Sequence, residues 1–139
     1  MPDTPLAANV RLQQFYARQV HAVNAADFAA YRDTFIPDAE FTGSGLPDPV
    51  RGAGAIAEHS RRLHERRAAQ EVVQRHHVTM TALLDRTDGV LAARSCTVIV
   101  ATALWGRPMI VAGVECVDEF TETDGVLRVR RRRLHPLAS

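Results

Sequence analysis

From residue 71 to 137, apolar and polar positions follow the rhythm of extended chain rather than of helix. Four segments rich in Val, Thr, Leu and Ile stand there: VVQRHHVTMTALL, VLAARSCTVIVATALW, PMIVAGVECVDEFTET and VLRVRRRRLHPL. Side chains of this kind suit a pleated, partly buried surface. Short glycine-bearing reversals separate them, at Asp88-Gly89, Gly106-Arg107 and Asp124-Gly125. Asp-Gly suits a type I′ hairpin turn, which needs positive φ at both central positions, and a leading Gly suits type II′. The pattern predicts a four-stranded antiparallel meander.

Two-residue loops would also fix the register, because directly opposed residues share a face. On that count His76, Val78, Met80 and Ala82 lie on one side with Ser95, Thr97 and Ile99. Val114, Cys116, Asp118 and Phe120 join them, followed by Leu127, Val129, Arg131 and Arg133. Asp118 is then expected opposite both Ser95 and Arg131. A mostly apolar face that holds one His, one Asp and two Arg reads as a pocket wall. The other face would carry His77, Val98, Val100, Glu115, Val117 and Glu119, a mixture too apolar to be left in water. That predicts a homodimer formed through it.

The first half has a helical period. Leu12, Phe15, Tyr16, Gln19, Val20 and Val23 recur at spacings of three and four, one stripe on a helix of about five turns. The stretch Asn24-Ala25-Ala26-Asp27 breaks it, with Asp27 as N-cap of a short second helix bearing Phe28, Tyr31 and Phe35. Ile36-Pro37-Asp38 ends that helix, AEFTG reads as a short strand, and GSGLPDPVRGAG reads as a loop. A third helix is predicted over 53–69, with Ile56, Ala57, Ser60, Leu63 and Arg67 facing inward and Arg61, Arg62, Glu65 and Arg66 facing solvent. Helices gathered before an antiparallel sheet predict an α+β fold. The curved sheet would wrap the long N-terminal helix and leave a cavity between them.

Composition narrows the chemistry. At 139 residues the chain is read as one domain, 1–139, with a tail at 1–5. It contains no Lys, and all 17 basic residues are Arg. That excludes a Schiff-base lysine and a Walker-type phosphate loop. A net charge of +1 and a 130–133 Arg run that alternates sides argue against a nucleic-acid partner. Without a membrane-length apolar run or a signal-peptide plan, a cytoplasmic protein with no membrane partner is expected. Cys96 and Cys116 should be reduced thiols on opposite faces. Neither they nor His59 and His64 have metal-ligand spacing, so no metal and no cofactor is expected.

This layout resembles the nuclear transport factor 2-like superfamily, and within it the SnoaL-like group. The resemblance rests on NAADFAAYRDTFIPDAEFTG, VRGAGAI, QRHHVTMTALL, AARSCTVIV and DEFTETDGVLRVRRRR, in that order. It implies a cone-shaped α+β fold, and a group that includes scytalone dehydratases, ketosteroid isomerases, polyketide cyclases, dioxygenase small subunits and inactive members. Matched by position, the catalytic Asp of ketosteroid isomerase-like enzymes falls at Thr42 or Gly43. The scytalone dehydratase Tyr-Asp pair falls on Val23-Asn24, its first-strand Tyr on Phe41 and its second His on Ser95. Its later Ser and Asn fall on Val114 and Cys116. Its first His is retained as His76.

His76 is therefore the leading catalytic candidate, because an imidazole can accept or donate a proton near neutral pH. Asp118 would act as base or orient His76, or else form a cross-strand ion pair with Arg131. Tyr16, Asn24, Tyr31, Met80, Ser95, Cys116 and Arg131 are expected to contact substrate. The expected function is cofactor-free acid–base chemistry on a hydrophobic, oxygenated ring compound such as an aromatic polyketide intermediate: dehydration, isomerisation or cyclisation. The alternatives are a non-catalytic ligand-binding or oligomerisation protein, or a dioxygenase small subunit.

Overall fold

The computed structural model describes residues 4–43, 45–87 and 89–137. Helix α1 spans Pro5–Asn24. It starts there because the Thr4 hydroxyl accepts the Ala7 N–H at 3.1 Å, and because Pro5 occupies the first turn, where no N–H is needed. Thr4 and Pro5 thus belong to the helix start rather than to the expected tail, whose residues 1–3 lie outside the described residues. Ala26 takes a φ of 59° to end the helix. The Asp27 carboxylate then caps helix α2, Phe28–Arg32, by accepting the Ala30 N–H at 3.1 Å.

Phe35 was expected in that second helix and instead opens strand β1, Phe35–Gly43. Pro37 is the reason: it lacks an N–H and pushes Ile36 out of helical space, so the chain extends early. Strand β2, Val50–Arg51, lies in the expected loop and pairs with β1. Helix α3, Ala53–Ala69, has the predicted bounds. Its outer face carries the ion pairs of Glu58 with Arg61 and Arg62 and of Glu65 with Arg61.

Strands β3 (Val72–Thr87), β4 (Val90–Ala103), β5 (Met109–Thr123) and β6 (Val126–Pro136) form the antiparallel meander. The whole sheet has six strands in the order β2-β1-β6-β5-β4-β3, with β1 parallel to β6. That parallel contact depends on Gly43, where a Cβ would sit 2.7 Å from the Leu134 Cβ. The inner face of the sheet receives α1. Leu12, Phe15 and Tyr16 are buried with Leu91, Ala93, Phe120, Leu127 and Val129. Phe15 meets Phe120 edge-on at 4.9 Å, and Tyr16 meets the same ring at 5.9 Å.

The register departs from the expectation in the middle connection, along β3 and β4, and in the last hairpin. The outer turns keep the two-residue spacing, with Thr87 opposite Val90 and Thr123 opposite Val126. Asp88 itself lies outside the described residues. The middle connection is 104–108 rather than Gly106-Arg107 alone, and Ala101 pairs with Met109. Pro108 has no N–H for the ladder, and Trp105 turns with a φ of 63°. At Ala101–Met109 the offset from the predicted Ala101–Ala112 pair is odd, and the irregularity between Ile99 and Val100 makes it even at Thr97–Val114, where the predicted pair was Ile99–Val114, so the faces survive.

Within β3, the pairing shifts between Thr79 and Ala82 and again between Leu83 and Asp85. Met80 turns there with a φ of 55°, Ala82 falls opposite Arg94 and exposed, and Leu83 packs against the core in its place. Each irregularity adds one residue and flips the faces, and two of them restore His76 and Val78 to the inner side. A single shift in the last hairpin has no such compensation. Phe120 pairs with Val129 but Glu119 with Arg131, which leaves Arg130 over and turns Arg132 inward. Asp118 accordingly lies opposite Ala93 and Arg132, not Ser95 and Arg131, while Ser95 lies opposite Cys116.

Candidate functional site

Helix α1 and the inner side of β3 leave a cleft of about 640 Å³ between them. The helix supplies Gln13, Tyr16, Ala17, Val20 and Asn24, a flank generated by three- and four-residue steps. The strand supplies residues 75 to 81, His76 and Val78 among them. β3 is the outermost strand of the sheet, so no further strand covers this side. Among the described residues none that lines the cleft is acidic.

His76 is half-buried in this wall. Burial, then the positive charges of Arg132 and His77, lower its pKa below the ordinary 6.5. The imidazole is therefore neutral at neutral pH and able to accept a proton. Its backbone is held by Asn24: the His76 N–H donates to Asn24 Oδ1 at 2.9 Å, and Asn24 Nδ2 donates to the His76 carbonyl at 3.3 Å.

Asp118 serves a different centre. It is fully buried, and Arg132 donates to it twice, Nε to Oδ1 at 2.8 Å and Nη2 to Oδ2 at 3.0 Å. The Tyr16 hydroxyl adds a 2.6 Å bond and the Cys116 thiol a 3.3 Å one. Arg132 also donates to Gln19 Oε1 at 2.6 Å, and Gln19 Nε2 donates to Thr34 Oγ1 at 2.7 Å. Among the described residues no hydrogen bond joins Asp118 to His76. Burial, then the Asp118 charge, raises the Tyr16 pKa well above the usual value. Burial likewise pushes the Cys116 thiol up, which makes it an inert core group.

Of the residues expected at the site, His76, Tyr16 and Asn24 come together along the cleft, with Met80 beside them. Met80 is 79 % exposed because the β3 irregularity turns it outward, so it belongs to the rim. Tyr31 packs edge-on against Phe35 in the core and does not line the cleft. Ser95 and Cys116 are buried neighbours away from it, and the Ser95 hydroxyl meets no partner of hydrogen-bonding geometry. Arg131 faces outward to Glu119 at 3.6 Å, its expected place taken by Arg132. Among the described residues no group of three or more His, Cys, Asp or Glu could hold a metal ion.

The sequence reading missed Arg132 and the role of Gln19. Gln19 did carry a signal, since an amide in the middle of an apolar helix stripe has to find a buried partner. The side on which Arg132 lies had none, because one irregularity reverses it.

A curved mixed sheet around a long helix, with a cleft on the helix side, defines the nuclear transport factor 2-like fold. The sequence signature of the SnoaL-like domain matches residues 4–133, and the chain belongs to that family. A protein from Catenulispora acidiphila, solved in complex with S-DNPA, is 31 % identical, with a TM-score of 0.79 and 94 % of each chain covered. Aln2 from a Streptomyces species is 27 % identical, with a TM-score of 0.85 over 98 % of this chain and 94 % of its own. ActVI-ORFA from Streptomyces coelicolor shares the fold, with a TM-score of 0.87 at 24 % identity, over 97 % of this chain and 98 % of its own. No curated protein sequence matches the chain. No helix among the described residues is long and apolar enough to cross a membrane.

The two centres should respond to different perturbations. Replacing Arg132 with Met strands a buried carboxylate and should cost about 3–5 kcal/mol of stability, whereas Arg131→Met should cost under about 1 kcal/mol. Urea unfolding of both variants measures the difference. For His76, the folded-state pKa lies below the unfolded one, so protonation favours unfolding. The stability this neutral ring contributes is complete above about pH 6.5 and is lost as pH falls below it. The unfolding midpoint should therefore drop on acidification from neutral pH, and His76→Gln should flatten that part of the drop.

Proposed function

We propose that the protein is a cofactor-free acid–base enzyme acting on a hydrophobic, oxygenated ring compound, with His76 as the proton-transfer group. One observation carries this reading: a neutral, half-buried imidazole in the wall of a cleft whose other walls include Ala17, Val20 and Val78. Apolar cavities with a few convergent polar groups are the usual form of small-molecule sites. In a dehydration, the imidazole would take a proton from the carbon next to the leaving hydroxyl and return a proton to that hydroxyl as water departs. In an isomerisation or ring closure, it would take the proton from one atom and deliver it to another. The Tyr16 hydroxyl donates its hydrogen bond to Asp118, so toward a ligand its oxygen would accept rather than donate. The complex of a 31 %-identical neighbour with S-DNPA supports a ligand-binding site, and the polyketide cyclases within the group this chain resembles favour a ligand of aromatic polyketide type.

The competing reading is a binding protein without turnover. It is favoured by the engagement of Asp118 with Arg132 and Tyr16, which leaves His76 without a carboxylate partner among the described residues. A dioxygenase small subunit has only the fold in its favour.

The sheet's outer face carries Val98, Val100 and Val117 among the ion pairs Arg94–Glu115 and Arg131–Glu119. We propose that two copies pair through this face in a two-fold dimer. Sedimentation at micromolar concentration should give twice the chain mass, and Val117→Arg should give a folded monomer. A wild-type monomer would rule this pairing out.

On a panel of hydroxylated polycyclic aromatics, with S-DNPA tested beside them, wild type should form product. His76→Ala should then lose about 10²- to 10⁴-fold in kcat with little change in affinity, the range of general acid–base catalysis. Binding without conversion by wild type would select the second reading, and unchanged turnover in His76→Ala would remove this residue from the mechanism.

A further inference from the structure

β3 is the outermost strand, and one row of its backbone N–H and C=O groups has no neighbouring strand to pair with. At His76 that row is not open. Asn24, the last residue of α1, places its carboxamide against both polar groups of the His76 backbone, accepting from the N–H at 2.9 Å and donating to the carbonyl at 3.3 Å. The helix end does not need this side chain for itself, because the turn after it is closed by the backbone, Ala25 N–H to His21 carbonyl and Asp27 N–H to Ala22 carbonyl.

We propose that Asn24 is a positioning residue for His76: its carboxamide stands in for the missing neighbour strand and fixes the backbone from which the imidazole enters the cleft. The idea rests on the reading of His76 as the proton-transfer group.

The residue type follows from the geometry. The clip needs one acceptor and one donor on a short, planar group, and Asn supplies both. Asp could accept from the N–H but would set a carboxylate oxygen against the His76 carbonyl, and Ala offers neither bond. The clip also acts where β3 is least regular, since the pairing shift that turns Met80 outward begins at Thr79, three residues on. A strand that changes register so close to a functional side chain needs a fixed point, and Asn24 provides one from α1. The titratable and charged groups around the ring are Tyr16 and His21 of α1 in the cleft, Arg75 and His77 on either side of it along β3, and Arg132 of β6. A carboxylate at position 24 would add the one charge sign this cleft lacks and would favour a protonated ring.

The test uses the full-length, isotope-labelled chain and two nuclear magnetic resonance readouts, amide exchange at His76 and titration of its ring. In wild type the His76 N–H should exchange slowly despite its place on an open edge, and the ring should titrate below the ordinary value. In Asn24→Ala that N–H should exchange at least tenfold faster and the ring should titrate closer to the ordinary value. Asn24→Asp should keep the slow N–H but move the ring titration upward. Thr4→Ala, which weakens the same helix from its other end, should leave both readouts at wild-type values. The proposal falls if Asn24→Ala leaves exchange and titration unchanged, or if Thr4→Ala alters them equally, since the clip would then only report helix docking. Neither readout depends on turnover. Loss of the His76 mechanism would therefore leave the clip standing, and loss of the clip would leave the mechanism open to its own assay.

Discussion

A guanidinium placed inside an apolar core must be matched on every side, and much of this structure is arranged to match Arg132. Its two bonds to Asp118 join β6 to β5, its bond to Gln19 joins the sheet to α1, and its planar group lies 5.4 Å from the Phe35 ring centre at the start of β1. Burial alone would favour loss of its proton, and the Asp118 carboxylate beside it holds the charge in place. A pair of this kind contributes less to stability than to uniqueness, because any other packing of helix on sheet would leave a charge without a partner. The network therefore fixes how α1 crosses the sheet, and with it the width of the cleft.

The same network limits the chemistry. A carboxylate bonded by Arg132 and Tyr16 is a structural anion, and it cannot also serve an imidazole on the next strand but one. His76 is left in a half-buried place influenced by the Arg132 charge, with its backbone held by an amide. Such a site suits single-group proton transfer or simple binding, and both remain within the range of a fold that hosts many chemistries.

The fold was legible in the sequence wherever local rules decide it. The helix over 53–69, the cap at Asp27, and the Asp124-Gly125 turn all rest on short-range sterics and hydrogen bonds. The inner placement of His76, Ser95, Cys116 and Asp118 came from counting by twos along strands, and it survived a longer middle loop because the irregularity between Ile99 and Val100 turned the loop's odd offset into an even one. Arg131 failed the same count because the irregularity in the last hairpin was odd. No local signal marks such a shift, since Arg130, Arg131, Arg132 and Arg133 are chemically alike and only the fit of one of them to Asp118 and Gln19 selects it.

The sequence by itself determined the order of the long elements, the strand faces between irregularities and the stripe of α1, because periodicity and turn chemistry act over a few residues. Tertiary structure alone decided that β1 lies parallel to β6, that Arg132 rather than Arg131 meets Asp118, and that Asn24 meets the backbone of His76 across 52 positions of chain. These are contacts between distant segments. They are chosen by which packing leaves no buried charge unpaired and no strand edge open beside the cleft, and that comparison exists only once the whole chain has come together.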